Sequence, residues 1–353
     1  MEKTDLMRLV RSNIASLEPY STARDEYKGN LGILLDANEN PFGGGLNRYP
    51  STTLRDSLVA KLAEIKGVLP GQLFLGNGSD ECIDLCYRVF CRPGKDNAVM
   101  ISPSYGMYKV CADINDVEAR QVKLGKDFSL PVEDLLAASD NNSRLLFICS
   151  PNNPTANSFP ESQIRTLLDE FPGIVVLDEA YADFSARGSL KKLLEEYPRL
   201  IILQTLSKAW GMAGLRLGMA LADSAVVRLF NRVRYPYNIG TDTLQLALEL
   251  LPKSYVESKV SIIVKERERV RAALAEIPTI REVLPSDANF FLIRTDCPRC
   301  LYNFLLSRGI IVRDRSNTPL CGPALRLTIG NPGENDKLIQ AITEYDSIQS
   351  TIH

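Results

Sequence analysis

The chain has 353 residues, 45% of them apolar and 24% charged, and its 41 basic side chains nearly cancel 43 acidic ones to leave a net charge of −2. Such a chain is long enough to bury a core in about two domains of roughly 100 to 200 residues each, which excludes a mainly disordered polypeptide. With no dense Lys/Arg run, nucleic acid is not expected as a partner, and no apolar stretch approaches the roughly 20 residues that span a bilayer. The start, MEKTDLMRLVRSNIASLEPY, lacks a signal-peptide h-region, so a cytosolic protein without membrane association is expected.

The single histidine, His353, is the last residue. Ser-His-Asp and Cys-His catalysis, HExxH zinc sites and two-His iron sites all need an imidazole in a fixed place, so none of them is expected, and no metal centre is. Chemistry must come from Lys, Asp, Tyr, Cys or a cofactor. Eight cysteines without an export signal read as reduced thiols. Cys297 and Cys300 form one CxxC, which lacks the second pair that a tetrahedral zinc site needs. There Asp296 reads as a helix N-cap with Pro298 in the first turn. Cys82 and Cys86, four apart on an apolar helical face, read as small core residues.

In chain order, GGG at 43–45 marks a loop, and FLGNGSDECIDLCYRVF places Gly78, Ser79 and Asp80 at the start of a helix with apolar positions at 82, 83, 85, 86, 89 and 90. The runs NAVMIS (97–102), RLLFICS (144–150), GIVVLD (173–178), RLIILQT (199–205) and LGMALA (217–222) are apolar at nearly every position, as strands buried on both faces are. Helical patterns such as ESQIRTLLDEF and SLKKLLEEY lie between them, which predicts an α/β domain with a mostly parallel sheet sandwiched by helices. After about residue 251 come a long charged helix, SYVESKVSIIVKERERVRAALAEI, the strands NFFLIRT and ALRLTIG, and a closing helix. We therefore expect a large domain over 30–250 and a smaller α+β domain built from 251–353 with 1–29 as its N-terminal arm. There is no internal repeat.

Parallel sheets gather ligands at the carboxyl ends of their strands. After LLFICS comes PNNPTANS with Asn153, after IVVLD comes EAYADF with Tyr181, and after LIILQT comes LSKAWGMAGLRLG with Ser207, Lys208 and Arg216. Asp178 ends a buried run, where an unpaired carboxylate is costly, so a cationic partner such as a protonated pyridine nitrogen is expected. The Gly78, Ser79, Asp80 helix start suits a phosphate, although Gly76-Asn77-Gly78 is followed by Glu81 instead of the third glycine of a dinucleotide fingerprint, and no GxxxxGK occurs.

PNNPT, DEAY and SKAWGMAGLRLG together resemble the fold type I aminotransferases that use pyridoxal 5′-phosphate. LEPYSTAR, LDANENPFG, LNRYP, SPSYGMY, GIIVRD and ALRLTIG look like the histidinol-phosphate aminotransferase family among them. Ala156 stands where that family usually has glycine. The resemblance implies that Lys208 is the Schiff-base lysine and proton carrier, that Asp178 keeps the pyridine nitrogen protonated, and that Asn153 and Tyr181 bind the phenolic oxygen. It further implies a phosphate held by Ser207, Arg216 and residues 78–80, Tyr105 stacked on the ring, and Tyr49 reaching the phosphate from a neighbouring subunit of a homodimer with shared active sites. Tyr20, Asn153, Arg313 and Arg326 would bind the substrates, L-histidinol phosphate and 2-oxoglutarate. Threonine-phosphate decarboxylation, aromatic or broad-specificity transamination and a catalytically silent cofactor-binding regulator are the alternatives. About 30 residues before LDANENPFG are too few for a winged-helix domain, which disfavours the last.

Overall fold

A computed structural model of the chain describes residues 6–22, 24, 32–44, 46–251 and 253–352. Gly45 of the glycine loop and the terminal His353 therefore lie outside the described residues, as do residues 1–5, 23 and 25–29 of the expected arm.

The five apolar runs form β2 (Asn97–Ser102), β4 (Ser143–Cys149), β5 (Ile174–Asp178), β6 (Leu200–Thr205) and β7 (Leu217–Ala222). With β1 (Leu73–Asn77) and β3 (Glu118–Lys123) they make a seven-stranded sheet in the order β1-β7-β6-β5-β4-β2-β3. Strands β2 to β6 pair in parallel, while β7 runs antiparallel to both β6 and β1. Helices Gly78–Phe90, Met107–Ile114, Glu161–Glu170 and Ser224–Val233 cover the sheet with the apolar stripes their 3.6-residue period creates. Strands β5 and β6 are buried at every position because both faces are covered. The segment SLKKLLEEY departs from its helical pattern: only a 3₁₀ turn, Lys191–Glu195, forms there. Pro198 disfavours helical backbone at Tyr197 and stops the turn from propagating.

A second, antiparallel sheet has the order β10-β11-β9-β8, from Arg313–Asp314, Ala324–Thr328, Phe290–Thr295 and Ile280–Val283. One face packs under helices Lys253–Ala275, Pro298–Ser307 and Pro332–Ile352 through Val270, Phe291, Leu301, Leu325 and Ile342. From the other face Phe290, Leu292 and Ala324 join the core of the large sheet, so the carboxyl ends of the parallel strands face the small sheet.

Three local expectations are corrected. Leu6, Leu9, Val10 and Ile14 pack with Phe74, Ile83, Val89 and Phe230, Arg11 N–H donates to the Val89 carbonyl at 3.0 Å, and Arg232 reaches the Ala15 carbonyl at 2.9 Å. This part of the 1–29 arm sits on the large sheet's helices, where its apolar stripe finds a groove, and not on the small sheet. Cys297 and Cys300, expected as thiols, form a disulfide. Cys297 is the N-cap of helix Pro298–Ser307, and the turn brings the two Cα atoms to 5.3 Å, within bridging distance. Asp296, the expected cap, is engaged by Arg281 instead. The other six cysteines are free and buried, Cys82 and Cys86 among them in the core. None of the described helices is long and apolar enough to cross a membrane.

Candidate active site

Four loops at the carboxyl ends of β2, β4, β5 and β6 and the start of helix Gly78–Phe90 enclose one cleft. Gly78, Ser79, Asp80, Tyr105, Asn153, Asp178, Tyr181, Ser207, Lys208 and Arg216 all line it, together with Cys149, Ala180, Thr205 and Ala213.

The helix start is shaped by close backbone packing. Gly218 on β7 lies so near the turn that a Cβ there would stand 2.2 Å from the Ser79 nitrogen and 2.3 Å from the Gly78 carbon. Gly78 has φ +74° and Arg216 has φ +51°, and this pair of left-handed residues lets the Gly78 N–H donate to the Arg216 carbonyl at 2.7 Å. Asn77 makes no side-chain cap, so the first-turn amides of Ser79 and Asp80 keep no capping partner among the described residues. Arg216 Nη2 lies 3.4 Å from Asp80 Oδ2 and remains half exposed. Tyr105 donates to the other Asp80 oxygen at 3.0 Å. Ser207 follows a turn in which Thr205 Oγ1 accepts from the Ser207 N–H at 3.1 Å. Backbone amides, a guanidinium and a hydroxyl thus meet where a phosphate would sit.

At the other end lies Asp178, buried, its Oδ2 accepting from Tyr108 Oη at 2.7 Å and its Oδ1 from the Ala180 N–H at 3.0 Å. Burial pushes its carboxyl up from the usual range, against the pull of those hydrogen bonds. No Lys or Arg among the described residues pairs with it, so the expected cationic partner is not a protein side chain. Lys208 Nζ sits 5.8 Å from the Tyr181 ring centroid. Burial and the Arg326 charge lower its pKa, which favours a free amine, while Asp178 opposes them.

Across the cleft, Arg326 Nη1 donates to Asn153 Oδ1 at 2.6 Å, and Asn153 Nδ2 lies 3.4 Å from Tyr181 Oη. The Arg326 guanidinium stacks over Phe290 at 5.2 Å, and its Nε is buried with no partner among the described residues. Burial and Arg315 lower its pKa. Arg313 is directly opposite Arg326 in the β10–β11 ladder and exposed, so the two share a sheet face. Ala156 takes the left-handed conformation, φ +65°, that a glycine would, its carbonyl accepting from the Asp287 N–H at 2.8 Å.

Two expected residues lie elsewhere. Tyr20 and Tyr49 line a separate outer hollow with Tyr237, on which Tyr49 stacks at 4.4 Å. Two residues were missed by the sequence reading: Tyr108, which was inside the quoted SPSYGMY but is read as functional only once its contact with Asp178 is seen, and Arg315, whose charge adds to the Arg313–Arg326 pair.

The donor set fits pyridoxal phosphate. A buried carboxylate without a cation suits a pyridinium, an uncapped helix start with Arg216 suits a phosphate dianion, and a lysine with depressed basicity lines the same cleft. Known proteins agree. The family description "Aminotransferase class I and II" covers residues 33–342. A histidinol-phosphate aminotransferase of Bacteroides fragilis is 50% identical over 342 residues, 96% of this chain and 99% of the relative. The histidinol-phosphate aminotransferase structure from Clostridium acetobutylicum superposes with a TM-score of 0.78 at 24% identity, over 86% of this chain and 91% of that one. The Sinorhizobium meliloti enzyme of the same name, in complex with pyridoxal-5′-phosphate, has a TM-score of 0.77 at 24% identity over 86% and 83%. Loops, cleft and relatives converge, and the chain belongs to the class I and II aminotransferases.

Proposed function

We propose that this aminotransferase moves the amino group of L-histidinol phosphate to 2-oxoglutarate, reversibly, with Lys208 as its acid–base residue. The observation that carries the substrate is the Arg313–Arg326 pair on one face above the cleft. Two guanidinium forks suit a phosphate dianion, and Arg326 alone suits the carboxylate of glutamate. The 50% identity to an enzyme of that name supports the same reading.

Bound in the cleft, pyridoxal phosphate supplies an aldehyde that condenses with amines and a ring that accepts the electron pair released when a substrate C–H bond breaks. The chain's part is to aim and to move protons. Lys208 Nζ would take the proton from the substrate carbon bearing nitrogen and carry it during the transfer, a role its lowered pKa suits. Asp178 would hold the proton at the ring nitrogen, Asn153 and Tyr181 would donate to the phenolic oxygen, and Tyr105 would pack on the ring. Ser79, Ser207, Arg216 and the amides at 78–80 would bind the phosphate.

Residues 30–250 form the cofactor domain in this reading and 251–353 the smaller one. The active unit is a homodimer. Ile33, Leu35, Phe42 and Leu46 are between 72% and 90% exposed, more large apolar exposure than a monomer gains from, and Leu46 lines the same hollow as Tyr20 and Tyr49. A second copy covering this face brings both tyrosines to its neighbour's cleft. Steady-state rates with histidinol phosphate, threonine phosphate and phenylalanine test the substrate. Faster amino transfer from histidinol phosphate supports it, and a preference for phenylalanine or release of CO₂ from threonine phosphate overturns it.

A further inference from the structure

Tyr108 is a buried phenol that no step above uses. It lies in helix Met107–Ile114, three residues beyond the cleft-lining Tyr105, and meets that residue edge-on at 5.7 Å. Its ring stacks on Phe147 of β4 at 4.9 Å with planes 16° apart. Its own carbonyl accepts from Tyr87 Oη at 2.8 Å. Ring and backbone are therefore pinned from two sides, and the hydroxyl is left aimed at Asp178 Oδ2, 2.7 Å away.

We propose that Tyr108 is a positioning residue for the reaction, whose hydroxyl keeps Asp178 ionised and fixes its carboxylate for the cofactor's ring nitrogen. This rests on the reading of Asp178 given above and deepens it. A carboxylate buried beneath the sheet's helix layer tends to protonate, and a neutral acid cannot hold a pyridinium. A short O–H donation to the charged form opposes that tendency and, once the cofactor is bound, favours carboxylate with pyridinium over acid with neutral pyridine. With Oδ2 held by Tyr108 and Oδ1 by the Ala180 N–H, the carboxylate plane has one orientation.

The other groups around Asp178 are Cys149 on β4, Asp80 and Cys82 on helix Gly78–Phe90, Lys208 after β6, and Tyr105 and Tyr181 at the cleft. Burial pushes the thiols and phenols among them up, so they stay neutral between pH 5 and 9. Asp80 and Lys208 are common to every variant below.

The test uses the full-length chain freed of cofactor and 4′-deoxypyridoxine 5′-phosphate, which has the ring nitrogen and phosphate but no aldehyde to engage Lys208. Binding is followed from pH 5 to 9 by the fluorescence of Trp210, the single tryptophan. In the wild type, affinity falls on acidification as Asp178 protonates. Tyr108→Phe should move that acid limb up by about one pH unit, because a hydrogen bond to a charged group and a one-unit shift are of similar size. Difluorotyrosine at position 108, a stronger donor of the same shape, should move it down. Tyr87→Phe, which removes a neighbouring buried hydroxyl, should leave it in place. Equal limbs in wild type and both Tyr108 variants, or an equal shift in Tyr87→Phe, overturn the proposal. Asp178→Asn separates the two levels: if it leaves the probe's affinity and pH profile unchanged, the reading of Asp178 itself fails.

Discussion

Lys208 sits among opposed charges: Arg326 and Arg216 disfavour its ammonium, Asp178 and Asp80 favour it, and burial tips the balance toward the amine. The sign matters for a residue that must take up a proton during turnover. Substrate choice rests on a different pair. Arg326 is partly buried, anchored on Asn153 and stacked on Phe290, whereas Arg313 opposite is exposed. Arg326→Ala should weaken both histidinol phosphate and glutamate, and Arg313→Ala mainly histidinol phosphate. Losing one charge-assisted contact costs about 1.5 to 3 kcal/mol, roughly one to two decades in affinity. Single-turnover titrations of each half-reaction measure the asymmetry; an Arg313→Ala variant with intact histidinol phosphate binding contradicts the phosphate model. That Asn153, Asp178, Tyr181, Lys208 and Arg216 line one cleft was legible because each ends a buried strand or lies in the segment that follows one. Tyr108 and Arg315 were not, because their roles lie in contacts between segments far apart in the chain.

At the scale of elements, β7 and helix Gly78–Phe90 are locked together by the approach of Gly218 to the Ser79 amide. Gly218→Ala places a methyl against backbone that has no rotamer to yield, so it should displace the first turn. A loss of about 1 to 3 kcal/mol in stability is expected with it, along with at least tenfold weaker pyridoxal phosphate binding. Thermal melts and cofactor titration check this; an unchanged cofactor Kd would show that the first turn does not hold the phosphate. The parallel core strands were legible as apolar runs. Edge strand β3 was not: no position in it is buried, and Glu118, Arg120 and Lys123 carry the charges that guard a sheet edge. The SLKKLLEEY segment misleads because its leucine spacing is helical while its length, cut by Pro198, is not. CxxC spacing alone left the state of Cys297 and Cys300 open until the helix turn set their separation.

For the whole molecule, the exposed apolar residues Ile33, Phe42 and Leu46 and the placement of Tyr49 in a hollow separate from the cleft are what the proposed homodimer would account for. Lys208→Ala should lose several decades of turnover while still binding cofactor, since nucleophile and base leave together. Tyr49→Ala should weaken the cofactor site of the partner. Unfolded and refolded as a mixture, the two inactive or impaired variants should regain up to about a quarter of wild-type activity, because half the random dimers then carry one site with both native residues. No gain above the Tyr49→Ala parent would mean that the sites are not shared.

The most direct single measurement is the visible spectrum of the purified holoenzyme through one turnover. Adding L-histidinol phosphate alone should bleach the band of the lysine-bound cofactor to a near-ultraviolet one, and 2-oxoglutarate should then restore it with one glutamate formed per site. A band that histidinol phosphate leaves untouched, or one that 2-oxoglutarate fails to restore, would contradict amino transfer between these two partners.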